Sequence, residues 1–174
     1  SLGANIINLS PIFKSSSCHK YDTGDYEIVD EMFGTNDDFK ELCRIAESKG
    51  IKIILDGVFS YTSADSRYFN KVGSYDDIGA YQSPNSRYHN WYKFNRYPYR
   101  YECWWGIDDR PNVNVMHNTY IDYVADREDA IIKKWIDLGA SGWRLNVTDE
   151  LPDEFIQIVR DRLKTIEKDT VLVG

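Results

Sequence analysis

The sequence predicts an α/β fold in which parallel strands share one sheet. Short apolar runs typical of buried strands alternate with segments of helical periodicity, and this alternation occurs on both sides of a long irregular segment. A hydrophobic content of 42% over 174 residues is enough to bury one substantial core. Repeated strand-helix units place the strands side by side and the helices outside the sheet.

The first unit consists of a strand, a helix and a second strand. Residues 4–9 form a short apolar run, which predicts a strand buried on both faces. Thr35 is placed to cap a helix that Gly50 ends. The predicted apolar face of this helix comprises Phe39, Leu42, Cys43 and Ala46. A second buried strand over residues 51–55 delivers Asp56 at its carboxyl end.

Regular alternation stops between residues 59 and 115, where glycine, proline, serine, asparagine and aromatic residues dominate. A structureless loop of this length is uncommon in a compact domain, so we expect a small irregular subdomain or lid. The chain is thus divided into residues 1–59, an inserted aromatic-rich segment over 60–115, and residues 116–174.

Helices and strands resume after the insert. The predicted elements are a helix over 120–138 that breaks near Asp126, a strand over 143–145, a helix from Pro152 to Glu167, and a strand over 171–173.

Composition narrows the classes of function. A net charge of -7 without a stripe of basic residues argues against nucleic-acid binding. No apolar run approaches the ~20 residues of a membrane span, so no membrane association is expected. No signal peptide is recognisable in this chain, which slightly favours a cytoplasmic location. No glycine-rich phosphate loop follows a strand, which argues against a nucleotide-binding domain.

The three cysteines have no metal-binding spacing, and an odd number cannot all pair within one chain. Cys43 lies on the apolar helix face and is predicted to be a buried thiol. A bridge between Cys18 and Cys103 is left open, because both lie in predicted loops.

Four separated segments carry a more specific pattern. They are NLSPIF at 8–13 with HKYDTGDY at 19–26, DGVFSY at 56–61, PNVN at 111–114, and GWRLNVTDE at 142–150. In this order they resemble the alpha-amylase family of glycoside hydrolases, in its neopullulanase and cyclomaltodextrinase branch. The resemblance covers nearly the whole chain.

The fold that this resemblance implies is an eightfold (β/α)8 TIM barrel, which needs ~250 residues. The four predicted strands would be strands two to five of the family barrel, with the inserted subdomain after the second strand of this chain. Such a partial barrel exposes strand edges, and pairing of two copies to complete it is a hypothesis from topology.

The resemblance also implies the catalytic positions. Asn146 stands at the nucleophile position, where the family has aspartate, and an amide is uncharged and a poor nucleophile. Arg144 and Asp56 would hold the charges of the site. The general-acid glutamate would follow Gly174. We therefore expect a fragment of a retaining α-glucan hydrolase that is inactive as given; the alternative is a non-catalytic carbohydrate-binding or interaction module from the same family.

An α-glucan or maltooligosaccharide is the expected partner, and aromatic loops suit flat sugar rings. By resemblance, the substrate-binding residues are Tyr21, Tyr61, His19, Glu150, Trp104 and Trp105. Ordinary loop packing is the alternative for each aromatic residue. Ser60 replaces an asparagine that binds calcium in many members, so no cofactor or metal is predicted and calcium has only weak support.

Overall fold

A parallel sheet with helices between its strands organises the computed structural model, which describes residues 3–174. The strands are β1 (Ile6–Leu9), β2 (Phe13–Lys14), β3 (Asp25–Val29), β4 (Lys52–Gly57), β5 (Phe94–Arg96), β6 (Arg100–Tyr101), β7 (Gly142–Leu145) and β8 (Val171–Val173). The helices are α1 (Asn36–Ser48), α2 (Asn118–Ile121), α3 (Ile131–Asp137) and α4 (Asp153–Ile166).

The main sheet has the strand order β1-β4-β7-β8, and all its neighbours are parallel. This confirms the prediction of an α/β fold with parallel strands. β4 pairs with β7 so that Asp56 lies opposite Arg144 at the carboxyl ends of both strands. Strands β2 and β3, and strands β5 and β6, form two small antiparallel pairs outside the sheet.

Helix α1 begins with a capping box, because Thr35 accepts a hydrogen bond from the backbone of Asp38 and Asp38 bonds back to Thr35. Phe39, Cys43 and Ala46 are buried, as predicted. The assignment of Leu42 to the same face was wrong, since this side chain is 43% exposed. Residue 42 lies at the edge of the narrow apolar stripe, where the sheet does not cover it.

Strand β1 also departs from the prediction. Ile6 and Ile7 are each 41% exposed, so the strand is not buried on both faces. The reason is its place in the sheet: β1 pairs only with β4 and forms one edge. Strand β4 has the same apolar pattern but lies between two strands, and its Leu55 is fully buried.

The predicted helix over 120–138 is divided in the structure. α2 continues into a π-helical turn over Asp122–Asp126, the chain then leaves the helix, and α3 starts at Ile131. The expected break near Asp126 is therefore confirmed. Trp135 of α3 is fully buried, and its indole N–H donates to the backbone oxygen of Tyr26.

Side-chain hydrogen bonds, together with isolated backbone bridges such as Tyr61 with Asn112, hold the segment after β4. Tyr26 donates a hydrogen bond to the backbone oxygen of Val58, and Tyr120 donates to that of Phe59. Further along, Tyr68 stacks on Tyr26 with ring centroids 5.6 Å apart. Aromatic side chains from the segment thus join the same core as those of the β2-β3 pair.

The cysteines of the described chain are all free. Cys43 is buried, as predicted, Cys18 is exposed and Cys103 is half-buried. The bridge between Cys18 and Cys103 that the sequence left open is therefore absent. Among residues 3–174 there is also no helix with the length and apolar character needed to span a bilayer.

Candidate active site at the carboxyl edge of the sheet

Two charged side chains meet where strands β4 and β7 end. Because the parallel register aligns Asp56 with Arg144, the two side chains project from the same face of neighbouring strands. The Arg144 Nη1 donates to Asp56 Oδ2 over 2.7 Å. Asp56 is 2% exposed, whereas the Arg144 side chain is 36% exposed. The pair therefore presents a buried carboxylate behind an accessible guanidinium.

Only one oxygen of Asp56 is satisfied within the described chain. Asp56 Oδ1 is buried and has no hydrogen-bond partner there. Burial raises the pKa of Asp56, while the charge and hydrogen bond of Arg144 oppose that rise. A buried, unpaired carboxylate oxygen is costly, so this atom can accept a hydrogen bond from a ligand hydroxyl.

Asn146 extends the same edge two residues beyond Arg144. Its backbone N–H donates to the oxygen of Gly57 over 3.0 Å, which continues the β4-β7 pairing. The side chain is 9% exposed, and its amide makes no hydrogen bond within the described residues. The next residue, Val147, has a φ of +50° and turns the chain away from the sheet. The backbone of Asn146 is therefore held in place, while its side-chain amide has no hydrogen-bond partner in the described chain.

The loop that carries His19 and Tyr21 is fixed by a buried ion pair. Lys20 Nζ lies 2.9 Å from Asp30 Oδ2, and both side chains are 5% exposed. Lys20 also donates to the backbone oxygen of Ser15 over 3.0 Å. Burial opposes ionisation of Asp30, but hydrogen bonds from Lys20 and two backbone N–H groups hold its pKa below the ordinary value.

The residues on either side of Lys20 point outward. His19 is exposed, Tyr21 is half-buried, and their ring centroids are 6.1 Å apart. The Tyr21 backbone N–H donates to His19 Nδ1. In the part of the chain that the structure describes, no hydrogen bond or ring contact connects either residue with Asp56, Arg144 or the two tryptophans. Tyr21 is nevertheless near the tryptophan side of the site, because its hydroxyl contributes to the raised pKa of Tyr61.

Tyr61 lies under Trp104. Their ring centroids are 4.9 Å apart, and the Arg110 guanidinium lies 5.5 Å from the Trp104 centroid and 6.0 Å from that of Tyr61. Burial raises the pKa of the Tyr61 hydroxyl to about 12. At neutral pH this hydroxyl is protonated and can donate a hydrogen bond.

Glu150 joins the two tryptophans. Its Oε2 accepts from the Trp104 indole N–H over 2.6 Å, and its Oε1 accepts from that of Trp105 over 2.8 Å. The two indoles stack with centroids 4.6 Å apart and an interplanar angle of 11°. Trp105 remains 76% exposed although its N–H is engaged. The carboxylate thus fixes a flat aromatic face toward solvent.

An open groove of about 440 Å³ runs beside this assembly. Its lining includes Ser60, Lys93, Glu102, Trp104, Trp105 and Glu150. Such a volume is of the size that small-molecule sites occupy, and its wall combines aromatic faces with charged groups.

Three residues that hold these positions were not singled out from the sequence. Lys20 and Asp30 lock the His19-Tyr21 loop, and Arg110 covers the Tyr61-Trp104 stack. A lysine inside an otherwise polar loop gives no sign that it will be buried. Arg110 lies directly before the 111–114 motif, and that position is the one signal that pointed to it.

Ser60 stands where the resemblance places the calcium-binding asparagine of many family members. Its hydroxyl oxygen is buried without a hydrogen-bond partner within residues 3–174. No three histidine, cysteine, aspartate or glutamate side chains of the described chain are grouped to hold a metal ion.

Comparison with known proteins gives one consistent result. The family model of the alpha-amylase catalytic domain matches residues 1–169. The amylopullulanase of Thermoanaerobacterium saccharolyticum is 42% identical over 191 residues, which cover 99% of this chain and 15% of the relative. Neopullulanase 2 of Thermoactinomyces vulgaris is 31% identical and is covered to 29% of its length.

A solved structure agrees with these relatives. The debranching enzyme of Nostoc punctiforme superposes with a TM-score of 0.84 at 35% identity, over 98% of this chain and 36% of the enzyme. The chain thus spans well under half the length of each of these proteins.

Proposed function

The chain belongs to the alpha-amylase catalytic-domain family, and we propose that it binds α-glucan chains at the carboxyl edge of its parallel sheet. This sheet is part of a TIM barrel. We assign its four strands to positions two to five of that barrel and residues 60–115 to an inserted subdomain. Sites of such barrels lie at the carboxyl ends of the strands, which is where Asp56 and Arg144 meet.

The observation that carries the proposal is the hydrogen-bonded pair of Asp56 and Arg144, followed two residues later by Asn146, whose side-chain amide has no hydrogen-bond partner in the described chain. Sugar hydroxyls are both donors and acceptors, so they match this set of groups. Asp56 Oδ1 accepts, the remaining guanidinium N–H groups donate, and the Asn146 amide does either. The fixed face of Trp105 offers a stacking surface at the groove.

We further propose that Asn146 disables the hydrolytic step. In a retaining glycosidase, a carboxylate attacks the anomeric carbon and forms a covalent glycosyl intermediate. The amide of Asn146 has no negative charge with which to attack or to stabilise an oxocarbenium ion. The site would then bind a glucan without cleaving it.

Glu150→Gln tests the binding half of this proposal. A glutamine offers one acceptor oxygen, so one of the two indole N–H groups loses its partner and the tryptophan face becomes mobile. We expect maltohexaose to bind about tenfold more weakly in isothermal titration, which corresponds to ~1.4 kcal/mol. Tryptophan fluorescence should change in the same variant.

Glu154→Gln is the matched control, because Glu154 is exposed on α4 and has no ion pair among the described residues. Its affinity should equal that of the unchanged chain. If maltohexaose does not bind the unchanged chain, the proposed function is wrong.

Asn146→Asp tests the catalytic half. We expect the first release of fluoride from α-glucosyl fluoride, one per chain, to become more than about 100-fold faster. Fluoride leaves without a general acid as the new carboxylate forms the glycosyl ester, whereas hydrolysis of that ester needs a general base. Release of fluoride measures the step directly. Asn118→Asp adds the same charge at the exposed start of α2 and should give no increase. Equal rates for both variants would show that residue 146 is not the nucleophile position.

A further inference from the structure

The tip of the β5-β6 hairpin differs in charge from the rest of the molecule. Residues 78–101 contain no aspartate or glutamate, although the chain carries a net charge of -7. Four basic residues fall in this segment: Arg87, Lys93, Arg96 and Arg100. Arg87 pairs with Asp77 and Lys93 pairs with Glu102, which leaves Arg96 and Arg100 as the unpaired cations of this segment in the described chain. Unpaired cations on an acidic protein attract anions.

Two of these basic residues lie directly opposite each other. Arg96 pairs with Arg100 in the antiparallel register of the hairpin, and both are exposed. Neither guanidinium has an ion pair or a hydrogen bond within the described chain, whereas Lys93 contacts Glu102 over 2.5 Å at the base of the same hairpin. Like charges in a cross-strand pair destabilise a hairpin. An anion between the two guanidinium groups would remove that repulsion.

An exposed aromatic residue directly precedes Arg100 in the sequence. Tyr99 precedes Arg100 at the tip and is 74% exposed. The ring of its neighbour Tyr97 packs on Phe94 with centroids 4.9 Å apart, and the Tyr97 hydroxyl donates to the backbone oxygen of Tyr81 over 2.9 Å. Phe94 in turn stacks on His89 with an interplanar angle of 4°. The exposed ring of Tyr99 thus extends from a well-packed aromatic base.

We propose that this tip binds an acidic sugar unit of a glucan or related glycan. Tyr99 stacks on the pyranose ring, and Arg96 and Arg100 donate charge-assisted hydrogen bonds to its oxyanion, either a phosphate ester or a uronate carboxylate. A sugar is preferred over an acidic peptide because the hairpin continues the groove: Lys93 and Glu102, at its base, line the wall that Trp104 and Trp105 also form. This choice of ligand rests on the proposed function.

The tip extends the groove by a defined length. Arg96 lies three positions after Lys93. At ~3.3 Å per position this corresponds to about 10 Å along the strand. Adjacent glucose units of a bound chain could therefore occupy the groove while a modified unit reaches the tip.

Isothermal titration with three probes tests the inference: maltotriose, maltotriose 6-phosphate and inorganic phosphate. We expect the phosphorylated sugar to bind about tenfold or more tightly than maltotriose at low salt, and this advantage should shrink as salt rises. The double variant R96Q/R100Q should lose the advantage while its affinity for maltotriose stays unchanged. Y99A should weaken binding of maltotriose 6-phosphate.

Arg160 and Lys40 are exposed on α4 and α1 and have no ion pair in the described part of the chain, so R160Q/K40Q removes the same charge elsewhere and should keep the advantage. A trisaccharide that ends in glucuronate distinguishes a carboxylate from a phosphate preference. Equal affinities for maltotriose and its phosphate, an unaffected R96Q/R100Q variant, or equally tight binding of inorganic phosphate would each overturn the inference. Weaker maltotriose binding by Glu150→Gln tests the groove of the proposed function, so failure of that function can be distinguished from failure of the inference about the hairpin tip.

Discussion

Replacing Lys20 with methionine is expected to lower the free energy of unfolding by about 3–5 kcal/mol, because it leaves Asp30 as a buried charge without its cation. Both side chains of the pair are 5% exposed, so water cannot replace the lost partner. Lys20 has a φ of +62°, and methionine would have to adopt the same backbone conformation. The substitution therefore removes the charge without a new backbone cost. Urea unfolding followed by circular dichroism measures the change.

Lys133→Met is the control for this variant, since Lys133 pairs with Asp137 at the surface and its loss should change stability far less. The pH dependence gives a second readout. Because the pKa of Asp30 is lowered in the folded chain, its contribution is present above the unfolded value of about 3.9 and is lost as pH falls through the lowered pKa. Lys20→Met should lose part of this acid dependence. Equal stability of the two methionine variants would contradict the expectation.

Gly142→Ala is expected to cost about 3 kcal/mol or more, because β7 and β8 approach each other too closely at this residue for a side chain. A Cβ at position 142 would lie 2.0 Å from the backbone oxygen of Val171 and 2.6 Å from its nitrogen. These are backbone atoms of the neighbouring strand and cannot rotate away. The strands would have to separate, and the register that opposes Arg144 to Val173 would be disturbed.

Gly50→Ala provides the matched control for Gly142→Ala. Gly50 has a φ of +69°, but a Cβ there meets no atom within 4 Å. Its cost should be limited to the backbone term of about 1 kcal/mol. Thermal unfolding of both variants separates the two effects. If Gly142→Ala unfolds at the same temperature as Gly50→Ala, the close approach of β7 and β8 is not important for stability.

Elements with a strong local signal were predicted from the sequence. The capping residue Thr35 and the periodic positions Phe39 and Cys43 gave helix α1, and the apolar run before Asp56 gave β4. The exposure of Ile6 was not predictable in the same way, because its pattern equals that of an inner strand. Whether an apolar strand is covered depends on its neighbours in the sheet, and the local sequence does not contain that information.

The contacts of the candidate site were also only partly predictable from the sequence. The resemblance to the alpha-amylase family implied that Asp56 and Arg144 meet, and both lie at the carboxyl ends of neighbouring parallel strands. The sharing of Glu150 by two indoles could not be predicted, because it depends on the path of the irregular segment. That path is set by hydroxyl-to-backbone bonds such as Tyr120 to Phe59, which leave no periodic pattern.

The pairing of Asp56 with Arg144 also has a consequence for the order of folding. The two residues are 88 positions apart in the chain, so their contact closes a long loop. Closing such a loop costs entropy that only the packed segment between them can compensate, and contacts of this kind form late and slowly. We therefore expect the carboxyl edge of the sheet, where we propose that a glucan binds, to assemble after the helices and the local hairpins. If that order holds, binding of the proposed glucan ligand would report completion of folding more strictly than circular dichroism, which follows helix content.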